Sequence, residues 1–308
     1  MTVDEKIEVR DLLRRLYIHN IDALARYLGV KKSPVSIRFI SGLPRDEYKD
    51  KLEEESKMYG DIVILNITEN IDEGKTFEYF KWFAKNRKDN YMVKLDDDAF
   101  LHLIHYYRDI QDIPRERVYY GNAVIDQLGQ PGTYAYMGGG GYTLSRDLVV
   151  DIVGSNWANS NFKGHEDWLV GEWVCHAAKE MKYFVHYVGY SNWEPLRQYP
   201  FHDFDEYLDL RSISEIILIH QIKNIEKIKV IKDMYSEYED GVPMVRVIWN
   251  STTKDLVTKK ELVPRCWEKE QIWDQTLKNT YKNWFYEAWN FREGKWEYTP
   301  VDNTEIVR

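Results

Sequence analysis

Cysteine is nearly absent: the 308 residues hold Cys175 and Cys266 alone. Two thiols suffice for one bond between them and are too few for a disulfide framework or a zinc cluster. Long apolar runs are missing as well. No stretch approaches the roughly eighteen apolar residues of a membrane span, and the N-terminal residues carry no signal-peptide core, so the chain reads as soluble with no membrane span. Basic charge is not in excess. Lys and Arg number 42 against 51 Asp and Glu, a net charge of −9. A nucleic-acid binder carries a basic field, so no nucleic-acid partner is expected. There is no internal repeat, and no low-complexity segment beyond one run of glycines. What the chain has in quantity is aromatic side chains, at 15% with 11 Trp. They serve either a substantial core or a surface on which sugars or bases stack.

The length allows one large domain or two modest ones. Residues 4 to about 29 form an amphipathic pattern with Leu13, Tyr17, Ile21 and Leu24 on one face, which predicts a helix ended by Ser33-Pro34. Val35–Ile40 alternates like a strand running into Ser41-Gly42. Asp46–Tyr59 predicts a charged helix closed by Gly60. Asp61–Leu65 predicts a buried strand, and Lys75–Lys85 a helix burying Phe77, Phe80 and Ala84. A third strand follows at Tyr91–Leu95. Such alternation predicts an α/β fold with a mostly parallel sheet. Arg117–Gly121 and Tyr183–Val188 read as further strands, 126–133 as a polar loop, and Arg146–Val153 as a helix with Ser145 as N-cap. Ile216–Lys223 is a short apolar strand with His220 near its end. From about residue 236 the character changes. Met244–Trp249 and Leu256–Leu262 predict a hairpin, and Trp284, Phe285 and Trp289 recur at helical spacing.

The rest of the chain is organised around Met92–Phe100. Here an apolar strand ends in Asp96, Asp97 and Asp98, after which Phe100, Leu103, Ile104 and Tyr107 follow at helical spacing. A strand that delivers carboxylates to its C-terminal edge puts them where open α/β sheets bind ligands. Three adjacent acids repel one another and favour a cation; oxygen-rich sites of this kind suit Mg²⁺ or Mn²⁺. Taken alone, the triplet is equally well read as a solvated acidic turn. Gly138–Gly141, set between Tyr136 and Tyr142, lets a backbone approach a ligand closely, or is simply a flexible loop. Glu166 and Asp167 open a helix, where acids also serve as complements to the helix dipole. A lone His220 at a strand end is commonly structural.

In this order the pieces resemble the inverting β-1,3-galactosyltransferases, glycosyltransferase family 31, over residues from about 9 to 232. Arg10–Arg14 looks like the opening Arg-rich helix, with Tyr17 where a Trp is usual, and Phe39–Gly42 is similar to the first core strand. Tyr59–Val63 and Gly74-Lys75-Thr76, with Trp82 beyond, match the next blocks. Val93–Phe100 is similar to the metal motif, while Gly140–Ser145 and Glu166-Asp167 with Gly171 match the later signatures. His220 stands where the family has a late histidine.

The resemblance implies a GT-A-like domain over 1–235, with 236–308 as an aromatic C-terminal extension. It implies an inverting transfer of a hexose, galactose before N-acetylglucosamine, from a UDP-sugar to a glycan or glycoconjugate hydroxyl, forming a β-1,3-linkage. Mn²⁺ or Mg²⁺ would be held by Asp98, Asp96 and His220. Asp97, Lys75, Gly140 and Gly141 would lie at the donor, Asp97 meeting ribose. Asp167 would be the general base, with Glu166 as the alternative. The Golgi lumen is the expected location by resemblance, and the cytoplasm if the chain is full length. Two rival readings are a metal-dependent phosphohydrolase and a non-catalytic nucleotide-sugar or glycan binder.

Overall fold

The computed structural model describes residues 1–111, 113–124, 136–190, 201–203, 216–240, 260–261, 285–290 and 295–300. Its elements begin with α1 (Ile7–Leu28), β1 (Phe39–Leu43), α2 (Asp46–Tyr59), β2 (Ile62–Thr68) and α3 (Lys75–Asn86). Next come β3 (Tyr91–Leu95), β4 (Phe100–Leu101), α4 (Leu103–Ile110), β5 (Val118–Val124), β6 (Tyr136–Ser145) and α5 (Arg146–Gly154). Then follow α6 (Asn156–Ser160), α7 (Glu166–Met181), β7 (His186–Tyr190), β8 (Phe201–Asp203), β9 (Leu218–His220) and α8 (Ile225–Asp240). The last are β10 (Lys260–Glu261), β11 (Phe285–Asn290) and β12 (Lys295–Pro300). Among the described residues no helix is long and apolar enough to cross a membrane.

The chain divides into two compact units. The first comprises Met1–Asn70, Lys94–Ile113 and Asn192–Thr258, the second Ile71–Val93, Pro114–Ser191 and Lys259–Arg308.

In the first unit α1 buries Leu13, Leu16 and Tyr17 against Phe39, Phe100, Ile219, Ile228 and Ile231. Its polar side chains do structural work on that same buried face. The Tyr17 hydroxyl accepts the Leu101 N–H at 3.0 Å, and Asn20 accepts the Leu103 N–H at 3.3 Å, so the chain just after the acidic triplet is hydrogen-bonded to α1. Arg10 is fully buried and forks onto Glu55 at 2.9 and 2.6 Å, while Arg14 meets both Glu55 and Asp61. Burying such charges is tolerable only because each finds its opposite and the guanidinium protons are used. β1 runs parallel to β2 with Phe39 opposite Ile62. The strand expected from Val35 starts instead at Phe39, because Val35–Arg38 precede the start of β2 and have no ladder partner there. At Gly42 a Cβ would lie 2.8 Å from the Glu69 Cα, so only glycine permits this approach, and its N–H donates to the Glu69 carboxylate at 2.7 Å.

In the second unit the sheet order is β10-β7-β5-β6-β3. β5 pairs parallel with β7 but antiparallel with β6, and β10 is antiparallel to β7. The sheets are therefore mixed, and not mostly parallel as expected. The antiparallel β5–β6 and β10–β7 pairs account for the mix. Trp173 of α7 lies between Phe77 and Phe80 of α3, at 5.1 and 5.7 Å between ring centroids. Phe83 is buried beside them, whereas Ala84 is only half-buried. Cys175 is buried and disulfide-bonded; Cys266 lies outside the described residues.

The glycine run is a strand, with an irregularity that explains its composition. Gly121 of β5 pairs with Tyr142, and Ala123 pairs with Met137. Asn122 alone therefore faces Gly138–Gly141, and the surplus chain forms a wide bulge. A second correction concerns the helical spacing of Phe285 and Trp289. These residues lie in β11, which pairs antiparallel with β12 so that Trp289 faces Trp296. An aromatic-rich segment followed by a similar one finds its partner in that neighbour, and pairing overrides the spacing. Trp284, the 126–133 loop and most of the hairpin expected at 244–262 lie outside the described residues.

Candidate active site

The first unit holds the acidic triplet. β3 carries it outward, and Ala99 N–H folds back onto the Asp96 carbonyl at 3.2 Å, making a turn of the three acids. Each acid finds a different neighbour. Asp96 is paired with the buried Lys94 amine at 2.9 Å, Asp97 with Lys6 at 2.7 Å, and Asp98 with His220 Nε2 at 3.4 Å. One ligand atom each from Asp96, Asp98 and His220 lie within 4.8 Å of one another. Asp97 points elsewhere, to Lys6, because the three acids lie on a turn and not on an extended strand. Burial pushes the Asp98 carboxyl up, but the His220 hydrogen bond and charge, with Lys223 and Lys6 beyond, hold it below its ordinary value.

His220 reaches Asp98 because of the turn that follows it. β9 pairs antiparallel with β4, Phe100 opposite Ile219, which aligns the end of β9 with the triplet. Gln221 then takes a left-handed conformation, φ 60°, and the Ile222 N–H donates to the Asp98 carbonyl at 2.8 Å. That conformation costs a non-glycine residue about 1–2 kcal/mol and is held by the contacts around it. Nothing in a single sequence marks Gln221 for this role. Lys94 was equally hidden, since a buried lysine in an apolar strand shows its purpose only when Asp96, two residues on, turns back to it.

The second unit holds the other candidates. α7 opens with Glu166 and Asp167, and both face the glycine bulge: a Cβ on Gly139 would lie 3.5 Å from Asp167 Oδ2 and 3.7 Å from Glu166 Oε2. The Tyr142 hydroxyl donates to Glu166 Oε1 at 2.5 Å. Asp167 Oδ1 accepts the Trp168 N–H at 2.8 Å and contacts the exposed His165 ring at 2.6 Å. Lys75 is buried in the first turn of α3. Gly140 and Gly141 lie in the bulge. Ser145 stands at the N-cap position of α5 but makes no capping bond; its hydroxyl accepts the Val118 N–H at 2.9 Å.

Residues 22–131 match the family model described as Galactosyltransferase. Over 173 residues the chain is 24% identical to UDP-GalNAc:beta-1,3-N-acetylgalactosaminyltransferase 2 of Xenopus tropicalis, covering 51% of this chain and 35% of that protein. It is 35% identical over 82 residues to beta-1,3-galactosyltransferase pvg3 of Schizosaccharomyces pombe, covering 26% of this chain and 20% of that one. Together these matches support a β-1,3-galactosyltransferase family for the matched part of the chain. A further relative, hydroxyproline O-galactosyltransferase GALT2 of Arabidopsis thaliana, is 28% identical over 166 residues, 47% of this chain and 24% of that protein. The matched stretches thus span about a third or less of these relatives' lengths. Within the chain, the segment matching the galactosyltransferase model contains the acidic triplet, while Glu166, Asp167 and His220 lie beyond it.

Proposed function

We propose that the protein transfers a hexosyl group, galactose in the first instance, from a UDP-sugar to a hydroxyl of a glycan or glycoconjugate. The transfer inverts the anomeric centre and forms a β-1,3-linkage. The observation that carries this reading is the convergence of Asp96, Asp98 and His220 from distant parts of the chain. Two carboxylates and an imidazole are a donor set compatible with Mn²⁺, and with Mg²⁺ through the oxygens. When bound, such an ion supplies positive charge against the departing diphosphate.

The remaining work falls to the chain's own residues. Lys94 orients Asp96, and the Ile222 N–H fixes the Asp98 backbone, so both carboxylates are positioned before any ligand arrives. Asp167 accepts the proton from the acceptor hydroxyl as its oxygen bonds to the anomeric carbon and the bond to the diphosphate breaks. Glu166 is the alternative base; each of the two acids has one oxygen engaged, Glu166 Oε1 by the Tyr142 hydroxyl and Asp167 Oδ1 by the Trp168 N–H. Asp97, Lys75, Gly140 and Gly141 serve donor binding in this reading, Asp97 with Lys6 as its counter-charge. Residues 1–235 form the catalytic domain and 236–308 an extension, and the Golgi lumen is the site of action. A second donor reading, UDP-N-acetylhexosamine, draws support from the relatives named as N-acetylgalactosaminyltransferases.

Calorimetric titration of UDP-galactose, UDP-N-acetylglucosamine and UDP-N-acetylgalactosamine, with and without Mn²⁺, tests the proposal and chooses the donor. EDTA is expected to abolish binding and Mn²⁺ to restore it, with Asp98→Asn losing far more than Asp97→Asn. Full-strength binding by the chelated protein would sink the metal assignment, and binding without turnover on any acceptor would favour the non-catalytic relative.

A further inference from the structure

Trp168 follows the candidate base directly and is used by none of the chemistry above. Its ring is neither buried nor free. It is half-buried and stacks on Tyr136 of β6, with 6.3 Å between centroids and 18° between planes. Its indole lies near the Glu172 carboxyl, which burial pushes up while the indole works in the opposite direction. Its main-chain N–H donates to Asp167 Oδ1 at 2.8 Å. The ring is thus held by its stack on Tyr136. What it offers a ligand is π surface.

The surroundings complete the case. Beside Trp168 and Tyr136 the glycine bulge removes side chains from four successive positions, at the place where Gly139 faces the Glu166 and Asp167 carboxylates. Bare backbone, a fixed aromatic plate and a few convergent carboxylates make up the composition of a small-molecule subsite. A pyranose suits it, since a ring with several C–H groups on one face stacks on an indole while its hydroxyls reach carboxylate oxygens. Charge narrows the choice. Glu166, Asp167 and Glu172 all lie in the first two turns of α7, so an anionic sugar would meet like charge.

We propose that Trp168, steadied by Tyr136, is the acceptor platform. The terminal pyranose of a neutral glycan lies on the indole with its attacking hydroxyl toward Asp167. This rests on the transferase reading and adds to it where the acceptor binds and that it is uncharged there.

Saturation-transfer NMR on the full chain tests it, using methyl β-galactoside, methyl β-glucoside and methyl β-N-acetylglucosaminide, with methyl β-glucuronide as the anionic comparator. At least one neutral glycoside is expected to receive saturation chiefly on the C–H groups of one face. Trp168→Ala should weaken it about tenfold, the equivalent of one good aromatic contact, while Trp168→Phe should keep most of it. In transfer assays Trp168→Ala should raise the acceptor KM more than the donor KM. Should Trp168→Ala melt early, Trp168→Leu, which fills the space without an aromatic face, replaces it. Equal binding by wild type and the Ala or Leu variant overturns the platform, as does a panel with no neutral binder or a preference for the glucuronide. Trp168-dependent glycoside binding without turnover of any UDP-sugar would leave the platform standing and remove the transferase reading instead.

Discussion

Replacing Asp167 by Asn separates chemistry from architecture. The side chain does three structural things: it accepts the Trp168 N–H, it contacts His165, and it places negative charge at the start of α7. Asn keeps the shape and the accepting oxygen. The charge at a helix start is worth about 0.3–1 kcal/mol. The His165 contact involves a side chain 80% exposed, so it belongs with surface pairs worth roughly 0–1 kcal/mol. The total is under about 2 kcal/mol, a fall in melting temperature of a few degrees for a chain of this size. A base is another matter, since Asn takes no proton and general-base catalysis contributes about a hundred- to ten-thousand-fold in rate. Asp167→Asn should therefore fold, bind UDP-sugar in a Mn²⁺-dependent way with wild-type affinity, and transfer sugar at least about a hundredfold more slowly. Thermal melts, donor calorimetry and UDP-release kinetics on the same preparation measure all three. Near-normal transfer by Asp167→Asn beside a dead Glu166→Gln would move the base to Glu166. Near-normal transfer by both would take the start of α7 out of the chemistry.

Two more expectations concern the first unit. His220→Ala leaves both carboxylates in place, so it should raise the Mn²⁺ needed for half-maximal transfer by about tenfold or more while saturating Mn²⁺ restores the rate; an unchanged titration would make His220 structural. Glu55 is buried, which pushes its carboxyl up, yet Arg10 and Arg14 together hold it below its ordinary value. A depressed carboxyl stabilises the fold above its unfolded pKa, and that stability is lost as pH falls through the folded value. Glu55→Gln should cost about 3–5 kcal/mol at pH 7, and its gap to wild type should close as the pH drops below the usual carboxylate range. A gap in melting temperature that stays constant from pH 7 to pH 3 would contradict this.

Local patterns were legible where the partner is close in sequence. The apolar run into Asp96–Asp98, the helix ended by Gly60 and the acidic start of α7 all follow from periodicity and termini, and the structure has them at those places. Distant pairings left no local trace. Lys6 and Asp97 are 91 residues apart, and periodicity in one segment says nothing of a salt bridge to another. His220 reads from its own strand only as a polar end; the resemblance alone attached it to the triplet. The β11–β12 hairpin was missed because aromatic residues four apart satisfy a helical and an alternating pattern alike, and only the facing strand decides between them.

The bulge in β6 has a consequence for how this stretch tolerates changes of length. In Tyr142–Ser145 the ladder is continuous, so losing one residue would turn every side chain beyond it to the other side of the sheet. Between Met137 and Tyr142, four residues stand opposite Asn122 alone on the β5 side. On the β5 side, one glycine deleted or inserted there leaves Ala123 with Met137 and Gly121 with Tyr142. Length variation is absorbed locally, and the phase of the strand on either side is preserved. The glycines act as a splice between two correctly registered half-strands, so alignment gaps among related chains belong at Gly138–Gly141 and not within the aromatic residues that flank them.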